Sequence, residues 1–276
     1  MNSVTLPDGT VVPALGQGTW KLGERGADRA AEARVLRLGL DLGLTLIDTA
    51  EMYAEGGAES VVAEAIAGRR QEVFLVSKVY PHNASRTRMA RSCEASLKRL
   101  RTEVLDLYLL HWRGSVPLAE TVEAMERLVA QGKILRWGVS NLDVADLEEL
   151  GAALPDCATD QVLYNLEERG VEFDLLPYAA RRGMPVMAYS PVGQGGALLR
   201  HPVLRRVAQR QGRSPAQIAL AWTLRAPGVI SIPKAASEAH LRENAAAREI
   251  VLAPEDLAEL DGAFSPPRRK QPLSML

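Results

Sequence analysis

The sequence predicts an α/β fold: a (β/α)8 TIM barrel with an N-terminal β-hairpin and extra C-terminal helices. Three observations carry this. Eight short apolar runs, mostly rich in β-branched residues, alternate with amphipathic helical patterns. Most repeats span roughly thirty residues, the length of a βα unit. The chain has 276 residues, close to the ~250 that eight units usually occupy. A right-handed series of eight closes naturally into a barrel. A doubly wound open sheet is the alternative, but its G-x-G-x-x-G fingerprint is missing where the first strand runs into GQGTWKLG.

The elements follow in order. Asp8-Gly9 in VTLPDGTVVP is a turn signal between alternating residues, so a hairpin is expected over 3–13. Strands are expected at 14–20, 45–50, 73–79, 105–112, 135–141, 159–165, 185–191 and 228–234. Helical patterns occupy 28–43, 57–69, 86–101, 117–132, 143–151 and 170–183. In the fourth of these, Val122, Met125 and Val129 fall at i, i+3, i+7. The interval 192–227 has room for two helices. The second opens with SPAQ, where Ser214 is the N-cap, Pro215 the first helical residue and Gln217 the closing member of a capping box. Helices at 237–248 and 254–262 complete the fold, and the tail 265–276 reads as irregular. No linker or low-complexity run divides the chain, so a single domain over 1–276 is expected.

Composition excludes several classes. A formal charge of −1 and a pI near 6.5 argue against a general nucleic-acid or membrane-surface binder. Cys93 and Cys157 are too few for a disulfide framework, and Cys93 shares a helical stripe with Met89, Leu97 and Leu100. The opening MNSVTLPDGTVVP has neither a basic start nor an apolar run, so no signal peptide is expected. No stretch nears the ~20 apolar residues of a membrane span. A reduced, cytoplasmic protein is the expectation. Nor does any tight His/Cys cluster suggest a metal site.

The functional signal lies in how the strands end. The second closes on Asp48, the third on Lys78, the fourth on His111-Trp112, the fifth on Ser140-Asn141, the seventh on Tyr189-Ser190 and the eighth on Lys234, while Gln161 lies inside the sixth. In a parallel barrel these ends share one rim, the rim that carries active sites. Asp48 and Lys78 stand on neighbouring strands and can pair there. Each makes the burial of the other tolerable. Such a pair could merely close the barrel top. Tyr53, five residues past Asp48, can fold back over it, and His111 stands on the next strand. A cation beside a phenol lowers its pKa from ~10. That suits proton donation to an oxygen gaining negative charge, as in carbonyl reduction.

At these residues the sequence resembles the aldo-keto reductase superfamily. The match runs through LGQGTW, IDTAEMY, VSKV, DLYLLHW, WGVSN, AYSP and IPK, nearly the whole chain. Short loops and a compact tail most resemble bacterial reductases of methylglyoxal and other small aldehydes. The resemblance implies a catalytic tetrad of Asp48, Tyr53, Lys78 and His111, a small carbonyl substrate, a monomer, and NADPH as cofactor with NADH able to substitute. Gly18, Thr19 and Trp20 would lie near the nicotinamide. Ser140, Asn141 and Gln161 would bond its carboxamide, and Tyr189 would stack on its ring. Ser190, Val192 and Gly193 would take the pyrophosphate, although a glycine cluster alone could be a plain turn. Lys234 would meet the 2′-phosphate, with Glu243 and Asn244 at the adenine. The sequence departs from the family pattern at Ala235, usually serine, and at His240, usually arginine. That change softens the preference for NADPH. Trp20 and Trp112 would flank Tyr53 as an apolar slot, Arg113 could attract an acidic substrate group, and the tail could lie beside the mouth.

Two other readings stay open at this level. One is a non-catalytic nicotinamide-binding subunit that senses redox state. The other is a barrel hydrolase using Asp48 with Glu51 or Glu167.

Overall fold

The computed structural model describes residues 3–276. A hairpin comes first: β1 (Ser3–Thr5) pairs antiparallel with β2 (Val11–Pro13) across the Asp8-Gly9 turn, where Gly9 adopts φ +87°. The chain then alternates. In order it forms β3 (Gln17–Gly18), α1 (Arg29–Asp41), β4 (Leu46–Asp48), α2 (Gly57–Ala65), β5 (Phe74–Val79), α3 (Met89–Leu100), β6 (Leu107–Leu110) and α4 (Leu118–Ala130). The second half continues with β7 (Trp137–Ser140), α5 (Val144–Glu149), β8 (Cys157–Leu163), α6 (Leu175–Ala180), β9 (Val186–Tyr189), α7 (Pro202–Gln211) and α8 (Pro215–Leu224). It ends with β10 (Val229–Ser231), α9 (Glu238–Ala246) and α10 (Pro254–Ala263).

Strands β3 to β10 form one eight-stranded sheet in sequence order, each adjacent pair parallel. The sheet curls until parallel bridges Leu15–Ser231 and Gly18–Lys234 link its first and last strands. Gly18 is required at this seam. A Cβ there would sit 2.7 Å from the Ile232 carbonyl oxygen. The arrangement agrees with the eight predicted βα units.

Side chains alternate in and out along each strand, and the inward set is layered. Leu46, Val76, Leu107, Leu109, Met187 and Ile230 fill the interior and pack against Val4, Leu6 and Val12 of the hairpin, which therefore stoppers one end. Two residues farther along the same strands, Asp48, Lys78, His111 and Tyr189 replace apolar groups. The outward set, including Ile47, Leu75, Tyr108, Val139 and Val162, packs under the helices. One outward residue breaks the pattern. Asp160 on β8 is fully buried with both carboxylate oxygens unpartnered by side chains, and burial lifts its pKa well above the usual range despite help from the Leu142 backbone.

The local signals mostly hold. Ser214 and Gln217 form the capping box on α8, and the side chain of Ser237 caps α9. Two expectations need correction. The helix foreseen over 170–183 is only Leu175–Ala180, preceded by a 3-10 turn at Gly170–Glu172 and ended by Gly183 at φ +64°. Val129 is 38 % exposed, because Leu128 takes the inward position in the last turn of α4. The tail after α10 is irregular, as expected. Arg169 fastens the end of α10 by donating to Asp261 and to the Phe264 carbonyl. Lys270 bridges Asp174 and Asp143. No helix is long and apolar enough to cross a membrane, and no His/Cys/Asp/Glu group suited to a metal occurs, both among the described residues.

Candidate active site

Lys78 lies at the centre of the rim. Its ammonium is fully buried and has three protons and three acceptors: Asp48 Oδ2 at 2.7 Å, the Thr49 carbonyl at 2.9 Å and the Tyr53 hydroxyl at 3.2 Å. The other Asp48 oxygen accepts from Gln161 Nε2 at 2.8 Å. Thr19 Oγ1 donates to the Asp48 carbonyl, so β3 also braces this corner. Burial works against the Lys78 charge, but Asp48 and Tyr53 together outweigh it and raise the pKa. The lysine is therefore a fixed cation. Because the Tyr53 oxygen accepts from this cation, its own proton is left free to point elsewhere.

Lys78 does pull the Tyr53 pKa down, as expected, but it does not set the balance. Burial lifts the phenol, Lys78 pulls it down, Asp48 pushes it up, and the balance is a raised value. The sequence shows the cation but not the burial that opposes it.

The loop that carries Tyr53 is wound left-handed. Ala54, Glu55 and Gly56 have φ of +50°, +53° and +86°. Gly56 cannot be replaced easily, since its φ of +86° strains any residue with a Cβ. Glu51 ties this loop to its neighbours. One oxygen accepts from the Tyr80 backbone at 2.7 Å and from Asn83 Nδ2 at 3.1 Å, and the other accepts from the Ser92 hydroxyl. This commitment removes Glu51 from the hydrolase reading.

His111 is buried and stands edge-on to Tyr53, ring centroids 5.7 Å apart. Burial and then Lys78 push its pKa down to about 3, so it is neutral. Its Nδ1 is buried with no partner. An orphaned buried N–H is rarer than an orphaned lone pair, which puts the proton on Nε2 and makes that nitrogen the donor. Trp112 packs on His111 and meets the Tyr80 ring edge-on.

These side chains open on a cavity of about 1100 Å3. Asp48, Tyr53, His111, Gly18, Thr19, Trp20, Trp112, Ser140, Asn141, Gln161, Tyr189, Ser190, Val192, Lys234, His240, Glu243 and Asn244 all line it. Gly193 does not; at φ +57° it turns toward Leu198, and Gln194 and Gly195 face the cavity instead. The amide-binding trio is also more committed than expected. Asn141, itself left-handed at φ +58°, donates to the His111 carbonyl and to Ser140 Oγ, and accepts from the Tyr189 hydroxyl at 3.0 Å. Ser140 donates to the Gln161 carbonyl. With its Nε2 donating to Asp48 Oδ1 and to Met187 Sδ, Gln161 keeps only Oε1 for a ligand. Arg113 is not available to a substrate, because it is paired with Asp146 and Glu149.

Several lining residues escaped sequence reading: Met52, Lys21, Arg200, Arg205 and the start of α8 at Ser214–Ala216. None ends a strand, so none carries the signal that marks the rim. The tail was placed correctly, since Met275 and Leu276 line the mouth.

A curled parallel sheet with a buried Asp–Lys pair and a tyrosine at its rim is the architecture of one enzyme class. The chain belongs to the Aldo/keto reductase family, whose sequence profile matches residues 14–264. Among its relatives, the methylglyoxal reductase YeaE of Escherichia coli K12 is 55% identical over 272 residues, covering 96% of this chain and 95% of that protein. The glyoxal reductase of Bacillus subtilis 168 is 34% identical, with 94% and 92% covered. A Klebsiella pneumoniae aldo/keto reductase crystallised with NADP and acetate superposes with a TM-score of 0.97 at 54% identity, with 99% of each chain covered. A second structure of a K. pneumoniae aldo-keto reductase, in complex with NADPH, gives the same score and identity over 100% of both chains.

Proposed function

We propose that this protein is an NADPH-dependent reductase of small aldehydes and ketoaldehydes, methylglyoxal among them, yielding alcohols. The observation that carries this reading is the Lys78 ammonium bound at once to Asp48 and to the Tyr53 hydroxyl on the wall of one large cavity. The methylglyoxal reductase and the NADP- and NADPH-bound Klebsiella structures support the substrate class and the cofactor.

The residues present fit a nicotinamide dinucleotide. The cavity has the volume for a large ligand. Gln161 Oε1 and the Tyr189 ring would hold the nicotinamide, Ser190, Val192 and the turn at Gln194–Gly195 the pyrophosphate, Lys234 the 2′-phosphate, and Glu243 and Asn244 the adenine. Bound there, the reduced nicotinamide supplies hydride to a carbonyl carbon.

The protein's part is to handle the oxygen. Tyr53 gives its free proton to that oxygen as charge develops on it. An alkoxide is a far stronger base than a phenolate, so a phenol with a raised pKa still transfers. Lys78 stabilises the phenolate left behind, and Asp48 holds Lys78. His111, neutral and protonated on Nε2, donates a hydrogen bond that aims the carbonyl. Trp20 and Trp112 shape the apolar sides of the slot. We also take the enzyme to be a cytoplasmic monomer; light scattering of the purified chain checks its oligomeric state.

The test is steady-state loss of NADPH with methylglyoxal. Turnover that needs both is the expected result. Tight NADPH binding without turnover on any aldehyde in a panel would instead indicate the redox-sensing subunit.

A further inference from the structure

Helix α7 carries three arginines on two faces. Two are committed to α10: Arg206 lies 2.6 Å from Glu259 Oε1, and Arg210 is paired with both Asp256 and Glu259. Arg205 is one residue from Arg206, so it points about 100° away around the helix. It lines the large cavity, and among the described residues it has no carboxylate partner.

The wall around it is poor in negative charge. Arg200 and Lys234 line the same cavity and also lack acidic partners among the described residues. The first turns of α8 and α9 reach the wall through Ser214, Pro215, Ala216 and His240, and helix N-termini favour anions. Among the described residues the only side-chain carboxylates on the wall are Asp48, bound to Lys78, and Glu243, which accepts from Ser214 Oγ at 3.2 Å; the Leu276 terminus lies at the mouth, beside Met275. Residue 240, where the family usually has arginine, is an exposed histidine that offers no guanidinium fork.

We propose that Arg205 is the guanidinium that binds the 2′-phosphate of NADPH, acting with Lys234 and taking over the part an arginine at 240 would play. The proposal rests on the NADPH reading above. Arginine matches phosphate through two parallel N–H donors, which a point-charge lysine cannot do. Arg205 is exposed and outside the fold's ion-pair network, so replacing it leaves the barrel intact.

The test compares equilibrium binding of adenosine 2′,5′-bisphosphate and adenosine 5′-monophosphate, which differ only by the 2′-phosphate. Wild type should prefer the bisphosphate. Arg205→Ala should weaken bisphosphate binding about 10- to 100-fold, the range for a hydrogen-bonded charge pair, and leave the monophosphate within about twofold. The ratio of kcat/KM for NADPH over NADH should fall in step. Arg205→Lys should recover part of the loss, and Arg205→Ala with His240→Arg most of it. A wild-type preference that Arg205→Ala leaves intact, or an equal loss for both ligands, overturns the proposal alone. Equal binding of the two ligands by wild type would overturn the NADPH reading as well.

Discussion

Lys78 Nζ stands 3.2 Å from the Tyr53 hydroxyl oxygen and donates to it, while Asp48 holds the same ammonium at 2.7 Å. The direction of that hydrogen bond matters more than its length. A phenol that accepts from a permanent cation keeps its own proton for another acceptor and has its conjugate base stabilised in advance. The proposed proton transfer rests on this relationship.

Removing the hydroxyl tests it. Tyr53→Phe should lower kcat for methylglyoxal by about 10²- to 10⁴-fold, the usual share of a general acid. Affinity for NADPH should stay near wild type by fluorescence titration, since Tyr53 touches the reacting oxygen and not the cofactor clamp. Near-normal turnover of the mutant would refute the assignment. In wild type the acid must be protonated, and its pKa is raised. Its contribution to kcat should thus hold through neutral pH and fall only above ~10.

His111 should make the protein sensitive to acid. Its folded pKa is about 3 against an ordinary 6.5. Between those values the unfolded chain binds the extra proton, so stability is complete above pH 6.5 and is lost as pH falls toward 3. The slope is about 1.4 kcal/mol per pH unit from this group. Urea titrations at stepped pH on wild type and His111→Gln should show that slope only in wild type.

Glu51 should act through position. Glu51→Ala leaves the Tyr80 N–H, the Asn83 amide and the Ser92 hydroxyl without their acceptor, and of these only buried Ser92 stands to lose the about 1–3 kcal/mol of an orphaned group. We expect kcat to drop about tenfold as the Tyr53 loop loosens, with NADPH affinity unchanged. Glu51→Gln, which keeps an acceptor oxygen, should restore most of it. If both variants lose activity equally, the carboxylate charge and not the tether is what counts.

Asp160 offers a stabilising change. Its folded pKa is raised, so its favourable share is complete below the unfolded value near ~4 and is lost as pH rises toward the folded one. Asp160→Asn keeps the shape and removes the need to hold a proton. The melting temperature should rise at pH 7, and the gain should vanish near pH 4. A gain of equal size at both pH values would point to packing instead.

Much of this was legible in the sequence because it obeys short periods. Strands buried on both faces read as apolar runs. Residues 46 and 48, 76 and 78, and 109 and 111 repeat the step from apolar interior to polar rim. Ser214-Pro215-Ala216-Gln217 spells out a helix start. What could not be read depends on which of several partners a side chain meets in space. Nothing nearby in sequence tells that Gln161 spends its amide donor on Asp48 across 113 residues, or that Arg205 faces the cavity while Arg206 faces α10. The net Tyr53 shift is hidden for the same reason, because burial outweighs the pull of Lys78. The cation is visible in the text, but the packing around the ring is made by the whole rim.

The three filled hydrogen bonds of Lys78 have one further consequence. Free amines condense with aldehydes to form imines, and dicarbonyls modify lysines readily. An ammonium with every proton held, a raised pKa and no exposed surface has no lone pair to offer such compounds. That amine is thereby shielded from glycation by dicarbonyl compounds.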